Sequence, residues 1–157
     1  MYNNMRVLAV LGLALALGCS RIGSWKRELP SPAGPRSGEP HLFASRGGVY
    51  LSWLEEREKG KTALLFSRWD GRAWAAPATV AQGRNFFVNW ADFPSLVSLE
   101  DGSFASHWLE MSGGTRWYDY NVKVSRSQDG GRTWDPAVTP HRDKTRSEHG
   151  FVSLVPL

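Results

Sequence analysis

The sequence predicts an all-β protein, and three observations predict it. From Pro40 onward, short apolar or alternating runs are separated by Gly, Asp and Asn turns. No segment sustains a helical period. The order of runs also repeats: Trp53 and Trp108 stand 55 residues apart, and Trp74 and Trp134 stand 60 apart.

The elements follow in order. Pro40-His41-Leu42 opens a first unit, and Ser45-Arg46-Gly47-Gly48 has hairpin-turn chemistry. Val49 to Glu55 is a second run and Leu64 to Arg68 a third. A turn ending in Trp74 and a strand-like tail, Ala78 to Val80, complete the unit. Pro94-Ser95-Leu96, Leu99-Glu100-Asp101-Gly102, Phe104 to Glu110, Asn121 to Arg126, Trp134 and Ala137 to Thr139 repeat that order. Phe151-Val152-Ser153-Leu154 is expected to begin a third unit. Four antiparallel strands at this period describe propeller blades, which close in rings of roughly four to eight. The chain is therefore expected to be a partial β-propeller: a blade at 40–80, a blade at 94–139 and the start of a third at 150–157. A fragment of this kind would expose apolar inter-blade faces.

The N-terminus is set aside before fold reasoning. Met1 to Arg6 carries one positive charge, and Val7 to Leu17 is apolar apart from Gly12. The run is shorter than the ~20 residues of a spanning helix and reads as a secretory signal. It ends Leu15-Ala16-Leu17-Gly18-Cys19, which resembles a bacterial lipobox. The resemblance implies cleavage after residue 18, lipidation of Cys19 and anchorage of an exported protein to a membrane. The alternative is an ordinary signal peptide with a chance cysteine. Ser20 is not the Asp that retains some lipoproteins at an inner membrane, so an outer-membrane or surface destination is expected in a Gram-negative cell. Cys19 is the only cysteine, which leaves none for disulfides. Residues 19–39, rich in Pro, Gly, Ser and Arg, are expected to be a flexible tether.

Loss of residues 1–18 removes only Arg6, and the formal charge falls from +4 to +3. The basic residues are scattered among acids, so no nucleic-acid footprint is read. Eight Trp suggest repeated structural positions, a carbohydrate-binding surface, or both. No cofactor or metal motif is read.

Ser127-Gln128-Asp129-Gly130-Gly131-Arg132-Thr133-Trp134 carries the most specific pattern. Asp129 is expected to accept turn N–H groups, the glycines to supply positive φ, Thr133 to start a strand and Trp134 to fill the gap to a neighbouring blade. Ser127, Asp129, Gly131, Thr133 and Trp134 match the Asp-box, or BNR repeat. Ser67 to Trp74 reads as a degenerate copy, with Trp69 and Ala73 in place of the Asp and Thr. From about Pro40 to Leu157 the chain resembles the bacterial exo-α-sialidase (neuraminidase) superfamily. The resemblance implies a six-bladed propeller that releases terminal sialic acids from glycans.

Antiparallel geometry puts the Asp-boxes on the face opposite the loops 80–93, 110–120 and 139–150, and functional residues concentrate on such loops. The resemblance makes Asp92 a pocket position, with loop capping as the alternative. Asn89, Glu148 and His149 are further candidates. Arg116, Trp117, Tyr118, Asp119 and Tyr120 form a dense cluster whose arginine suits a carboxylate and whose aromatics suit a sugar face. The other reading of that cluster is a self-packed loop. His141, Arg142 and Asp143 read as a solvated turn. The chain departs from the family in lacking a Phe-Arg-Ile-Pro motif, and no Tyr is assigned as nucleophile, so no catalytic residue is named. The leading expectation is a lipid-anchored sialidase-like glycoside hydrolase, inactive as this piece alone. The alternative is a non-catalytic glycan- or protein-binding Asp-box propeller.

Overall fold

The computed structural model describes residues 28–156. The expected signal segment, the Cys19 lipidation site and the first part of the tether lie outside the described residues. The chain is all-β, with two antiparallel sheets.

The first sheet holds β1 (Ser37–Ser45), β2 (Gly48–Glu58), β3 (Lys61–Trp69) and β4 (Ala78–Gly83) in the order 1-2-3-4. Two-residue turns close β1–β2 and β2–β3, where Ser45 faces Gly48 and Glu58 faces Lys61. Pro40 lies on edge strand β1, where its missing N–H breaks no inner ladder. The β1 register slips between Gly38 and His41, around Glu39 at φ 50°. The second sheet holds β5 (Ser95–Ser98), β6 (Phe104–Met111) and β7 (Tyr120–Ser127) in the order 5-6-7.

The sheets pack through one apolar core. Tyr50, Leu54, Leu64 and Phe66 of the first sheet meet Leu96, Phe104 and Trp108 of the second. Phe104 is met edge-on by Tyr50 at 5.1 Å and by Phe66 at 5.6 Å, the offset that opposed ring quadrupoles favour. The outer face of the first sheet buries Trp53, Ala63 and Leu65. The outer face of the second buries Phe87, Leu109, Tyr120 and Val122. With both faces covered, β3 carries a continuous apolar run from Ala63 to Phe66, and β6 is buried at four consecutive positions from Ser106 to Leu109.

The repeat is visible in side-chain bonds. Trp53 Nε1–H donates to Glu55 at 3.1 Å, and Trp108 Nε1–H donates to Glu110 at 2.8 Å. The Ser67 hydroxyl donates to the Ala75 carbonyl and the Ser125 hydroxyl to the Asp135 carbonyl, both at 2.7 Å.

Three expectations are corrected. The tether was expected to run to residue 39, but β1 starts at Ser37 and the chain is docked before it. Ala33 packs against the Trp53 cluster, and Gly34 N–H donates to Glu55 at 3.0 Å. The fourth strand of the second unit, expected at Ala137 to Thr139, is a single bridge in which Val124 and Val138 exchange two 2.9 Å bonds. Pro136 and Pro140 flank it and supply no N–H to extend a ladder. Phe151 to Leu154, expected to be a strand, forms none: Phe151 sits at φ 59°, which interrupts an extended run.

Candidate functional site

The two sheet ends differ in chemistry. Register places the start of β5, the end of β6 and the start of β7 at one end, and the turn after β7 at the other.

The turn after β7 is organised by Asp129. Its Oδ1 accepts Arg132 N–H at 3.0 Å, Thr133 N–H at 2.9 Å and the Ser127 hydroxyl at 2.9 Å, and its Oδ2 accepts the Thr133 hydroxyl at 2.6 Å. These bonds, the Thr133 hydroxyl foremost, hold its carboxyl well below the usual carboxylate range. Gly131 N–H donates to the Ser127 hydroxyl at 2.8 Å. Trp134 packs edge-on to Phe66 of the first sheet at 6.3 Å. Gly131 has φ 85°, and a Cβ there would drive into the Phe66 ring.

The first-sheet copy is corrected in register. Asp70, not the position of Trp69, does the work of Asp129. Its Oδ1 accepts Arg72 N–H at 2.7 Å and Ala73 N–H at 2.8 Å. Ser67 corresponds to Ser125 rather than to Ser127, as their matching bonds to Ala75 and Asp135 require. The shorter turn slides the motif against its own sequence.

At the opposite end, Asp92 is 7% exposed, and it is shared by three segments. Its Oδ2 accepts Asn89 Nδ2–H at 2.6 Å and the Tyr120 hydroxyl at 3.0 Å, and its Oδ1 accepts Phe151 N–H at 3.2 Å. Asn89 also closes the turn into Asp92, accepting Ala91 and Asp92 N–H groups on its side-chain oxygen. The Tyr120 hydroxyl lies 3.1 Å from Glu148 Oε1 as well, so one phenol stands between two carboxylates. Burial, then the bonds to Asp92 and Glu148, keep that phenol protonated well above its ordinary range. Gly150 makes the meeting possible: a Cβ there would lie 2.6 Å from the Tyr120 hydroxyl and 2.7 Å from Asp92 Oδ1.

Among the candidates, Asn89, Asp92 and Glu148 are thus brought together by Tyr120. His149 is adjacent, its Nδ1 3.2 Å from the Tyr120 carbonyl. Arg116, Tyr118 and Asp119 form a separate group. Arg116 donates from Nε to Asp119 at 2.9 Å and from Nη2 to the Arg146 carbonyl at 3.0 Å. Its guanidinium lies 4.9 Å over the Tyr118 ring. Asp119 is 2% exposed, and its carbonyl accepts Ser112 N–H and hydroxyl at 2.9 Å each. The self-packed reading of this loop describes these contacts, and the arginine is held by its own loop's acid.

A cavity of about 330 Å³ adjoins Asp92, lined by His41, Phe93, Ser95, His107 and Phe151 among others. His107 is 2% exposed, its Nδ1 2.7 Å from the Ser95 hydroxyl. Burial pushes it down to about 4, so the ring is neutral near pH 7. Sequence reasoning singled out neither histidine. A signal existed: His41 faces Ser52 in the first sheet and Ser95 faces His107 in the second, polar pairs between the first two strands of each sheet. Exposed aromatics border this end, with Trp90 at 84% and Trp117 at 72% exposure, and Trp117 lies against Phe87 at 6.1 Å.

Chemically, the arrangement offers oriented carboxylate acceptors, a neutral phenol and imidazole, and apolar rings beside a cavity. That is a small antiparallel β protein with a polar, aromatic-rimmed pocket at one sheet end. The chain matches no family model and no curated protein.

Proposed function

We propose that this chain is a unit of an Asp-box β-propeller that recognises glycans at the sheet end carrying Asp92, Tyr120 and Glu148. One observation carries the reading. The Asp70 and Asp129 turns close one end of two repeated sheets, while the carboxylates, the cavity and exposed Trp90 and Trp117 gather at the other. Sugar rings present hydroxyl donors to carboxylates and apolar C–H faces to indole rings, and both partners are supplied there. The sequence of the first 19 residues supports export and a lipid anchor, which would hold such a surface outside the cell.

The second reading is sialidase-type hydrolysis. The grouping of Tyr120 with Glu148 and Asp92 favours it, because sialidases use a Tyr nucleophile in place of a carboxylate. Two features count against Tyr120 in that role. It is 1% exposed, and its phenol is held protonated. Recognition is therefore the better-supported reading, with exposed Glu148, Trp90 and Trp117 as its contact groups and Asp92 and Tyr120 as the residues that position them.

Calorimetric titration of the full chain with sialyllactose and with lactose tests the proposal. Saturable binding of either sugar is expected, and no binding to any member of a broad glycan panel would remove it. Hydrolysis of a fluorogenic sialoside by the folded chain would shift the conclusion to the second reading.

A further inference from the structure

The 139–150 loop holds a cluster that glycan recognition does not use. His149 Nε2 lies 3.1 Å from Asp143 Oδ2 and 3.3 Å from Oδ1, and His141 Nδ1 lies 3.3 Å from Asp143 Oδ1. One donor atom from each of the three residues lies within 4.8 Å of the others. The two imidazoles are stacked, with centroids 3.7 Å apart and planes 8° from parallel.

The tautomer of His149 gives the cluster its meaning. Its Nδ1 is 3.2 Å from the Tyr120 carbonyl, which can only accept, so Nδ1 carries the hydrogen. In the neutral ring Nε2 then presents a lone pair, and that lone pair faces a carboxylate oxygen, which also only accepts. At 3.1 Å that pair is bridged either by a second ring proton or by a cation, and the same two atoms can serve as ligands. A histidine whose far nitrogen donates to a backbone carbonyl is also the usual arrangement of a metal-ligating imidazole, because that bond fixes ring orientation and raises ligand basicity.

We propose that His141, Asp143 and His149 form a three-ligand site for a divalent transition-metal ion, zinc foremost. Two imidazole nitrogens and one carboxylate oxygen suit a borderline ion and not the all-oxygen shells of calcium or magnesium. The His141–Asp143 separation of 3.3 Å matches the edge of a tetrahedron with bonds of about 2.0–2.1 Å, and the His149–Asp143 separation of 3.1 Å falls just short of it. The stacked rings splay on binding so that both lone pairs converge. The loop permits this, since 142–146 are exposed and carry no strand. Three protein ligands leave the fourth position to water or to an incoming anion or sugar hydroxyl. His149 ties the ion to the start of β7, so a loaded site would brace the 139–150 loop beside Glu148. The site does not depend on the glycan reading.

The test uses the full chain carrying Cys19→Ser, which removes its one thiol. The protein is stripped with a chelator, titrated with Co²⁺ as a spectroscopic probe, and then with Zn²⁺ against a chromophoric chelator. One equivalent per chain is expected, with the visible bands of four-coordinate cobalt. Asp143→Asn and His149→Gln should each weaken binding by more than about tenfold, since loss of even a ligand's outer partner costs about 10–100-fold. His41→Gln, outside the loop, should leave it unchanged. Nitrogen chemical shifts of the imidazoles in the Cys19→Ser chain give a second readout that needs no ligand variant to fold: His141 and His149 should move on zinc addition. Absence of saturable binding, binding that the loop variants leave intact, or zinc shifts confined to other histidines would each overturn the proposal.

Discussion

Asp70 and Asp129 each use Oδ1 to accept two consecutive backbone N–H groups, from Arg72 and Ala73 and from Arg132 and Thr133. The residues that follow, Trp74 and Trp134, then enter equivalent positions, although the Asp70 turn is one residue shorter. The carboxylate is thus a turn device, built from Asx chemistry rather than from ligand contacts.

The two aspartates should therefore be unequal in a mutational test. Asp129 also accepts the Ser127 and Thr133 hydroxyls, and Asp70 has no such partners. Asp129→Ala is expected to lower the urea midpoint more than Asp70→Ala. Neither change should alter glycan binding, because both lie at the far end of the sheets. Equal midpoints would sink the argument that the extra hydroxyl bonds matter.

Neighbouring glycines separate backbone strain from crowding. Gly130 and Gly131 have φ 74° and 85°, but only Gly131 abuts Phe66, while a Cβ on Gly130 meets nothing within 4 Å. Gly130→Ala should cost the backbone penalty of about 1 kcal/mol. Gly131→Ala adds overpacking against Phe66 and should cost ~2–4 kcal/mol in total. Denaturant unfolding of the two variants checks the difference, and similar losses would mean that the sheets slide apart without cost.

These residues also show what was legible beforehand. Strands β2, β3 and β6 were readable because each pairs with a chain neighbour through a short turn, and turn chemistry is local. The turn built on Asp129 was readable for the same reason. The shortened copy is misaligned in the sequence, since two residues fewer between the matched serines and the Trp put Ser67 under Ser127, and only the bonds of Ser67 and Asp70 restore the register. The meeting of Asp92, Tyr120 and Glu148 joins residues 28 positions apart on each side through loop packing, which leaves no periodic trace. His41 and His107 come from different sheets, so their shared cavity depends on how the sheets pack.

Tyr120 should be the last of the four tyrosines to ionise. Its folded value is raised above the ordinary 10.0, so its contribution to stability is fully present below about pH 10 and is lost as pH climbs further. Ultraviolet titration should show one phenol ionising only with unfolding. Tyr120→Phe should remove that step and cost about 2 kcal/mol at neutral pH, because two carboxylates lose their shared donor. Normal ionisation of all four phenols in the folded chain would contradict the buried bridge.

Trp117 tests the proposed recognition surface. It is 72% exposed, so its indole face is available to a sugar. Trp117→Ala should weaken glycan binding about fivefold to tenfold, as loss of ~1 kcal/mol of stacking requires. Stability should change little, since most of the ring is already in water. Unchanged affinity would move the contact surface away from this loop.

His107 makes the fold acid-sensitive. Burial lowers it from 6.5 to about 4, so between those pH values the unfolded chain binds a proton that the folded ring refuses. Stability is therefore expected to fall as pH drops from about 6.5, with the loss levelling off near pH 4. The full loss from this group is roughly 3 kcal/mol, one pKa unit being about 1.4 kcal/mol. His41, also lowered by burial, acts in the same direction. His149 acts oppositely: burial works against its charge, but the Asp143 and Tyr120 hydrogen bonds hold it above its ordinary value, so its contribution is kept in acid and lost as pH rises. Carboxylates add a further acid-dependent slope. Comparing urea midpoints of the parent chain and His107→Gln at pH 7, 5.5 and 4.5 isolates the single ring, because every other group is common to both. The variant keeps a polar partner for Ser95 and should lose stability at pH 7 but show a flatter decline in acid. Parallel declines in the two proteins would show that His107 takes up its proton in the folded state without cost, and that its cavity is wetter than its 2% exposure implies.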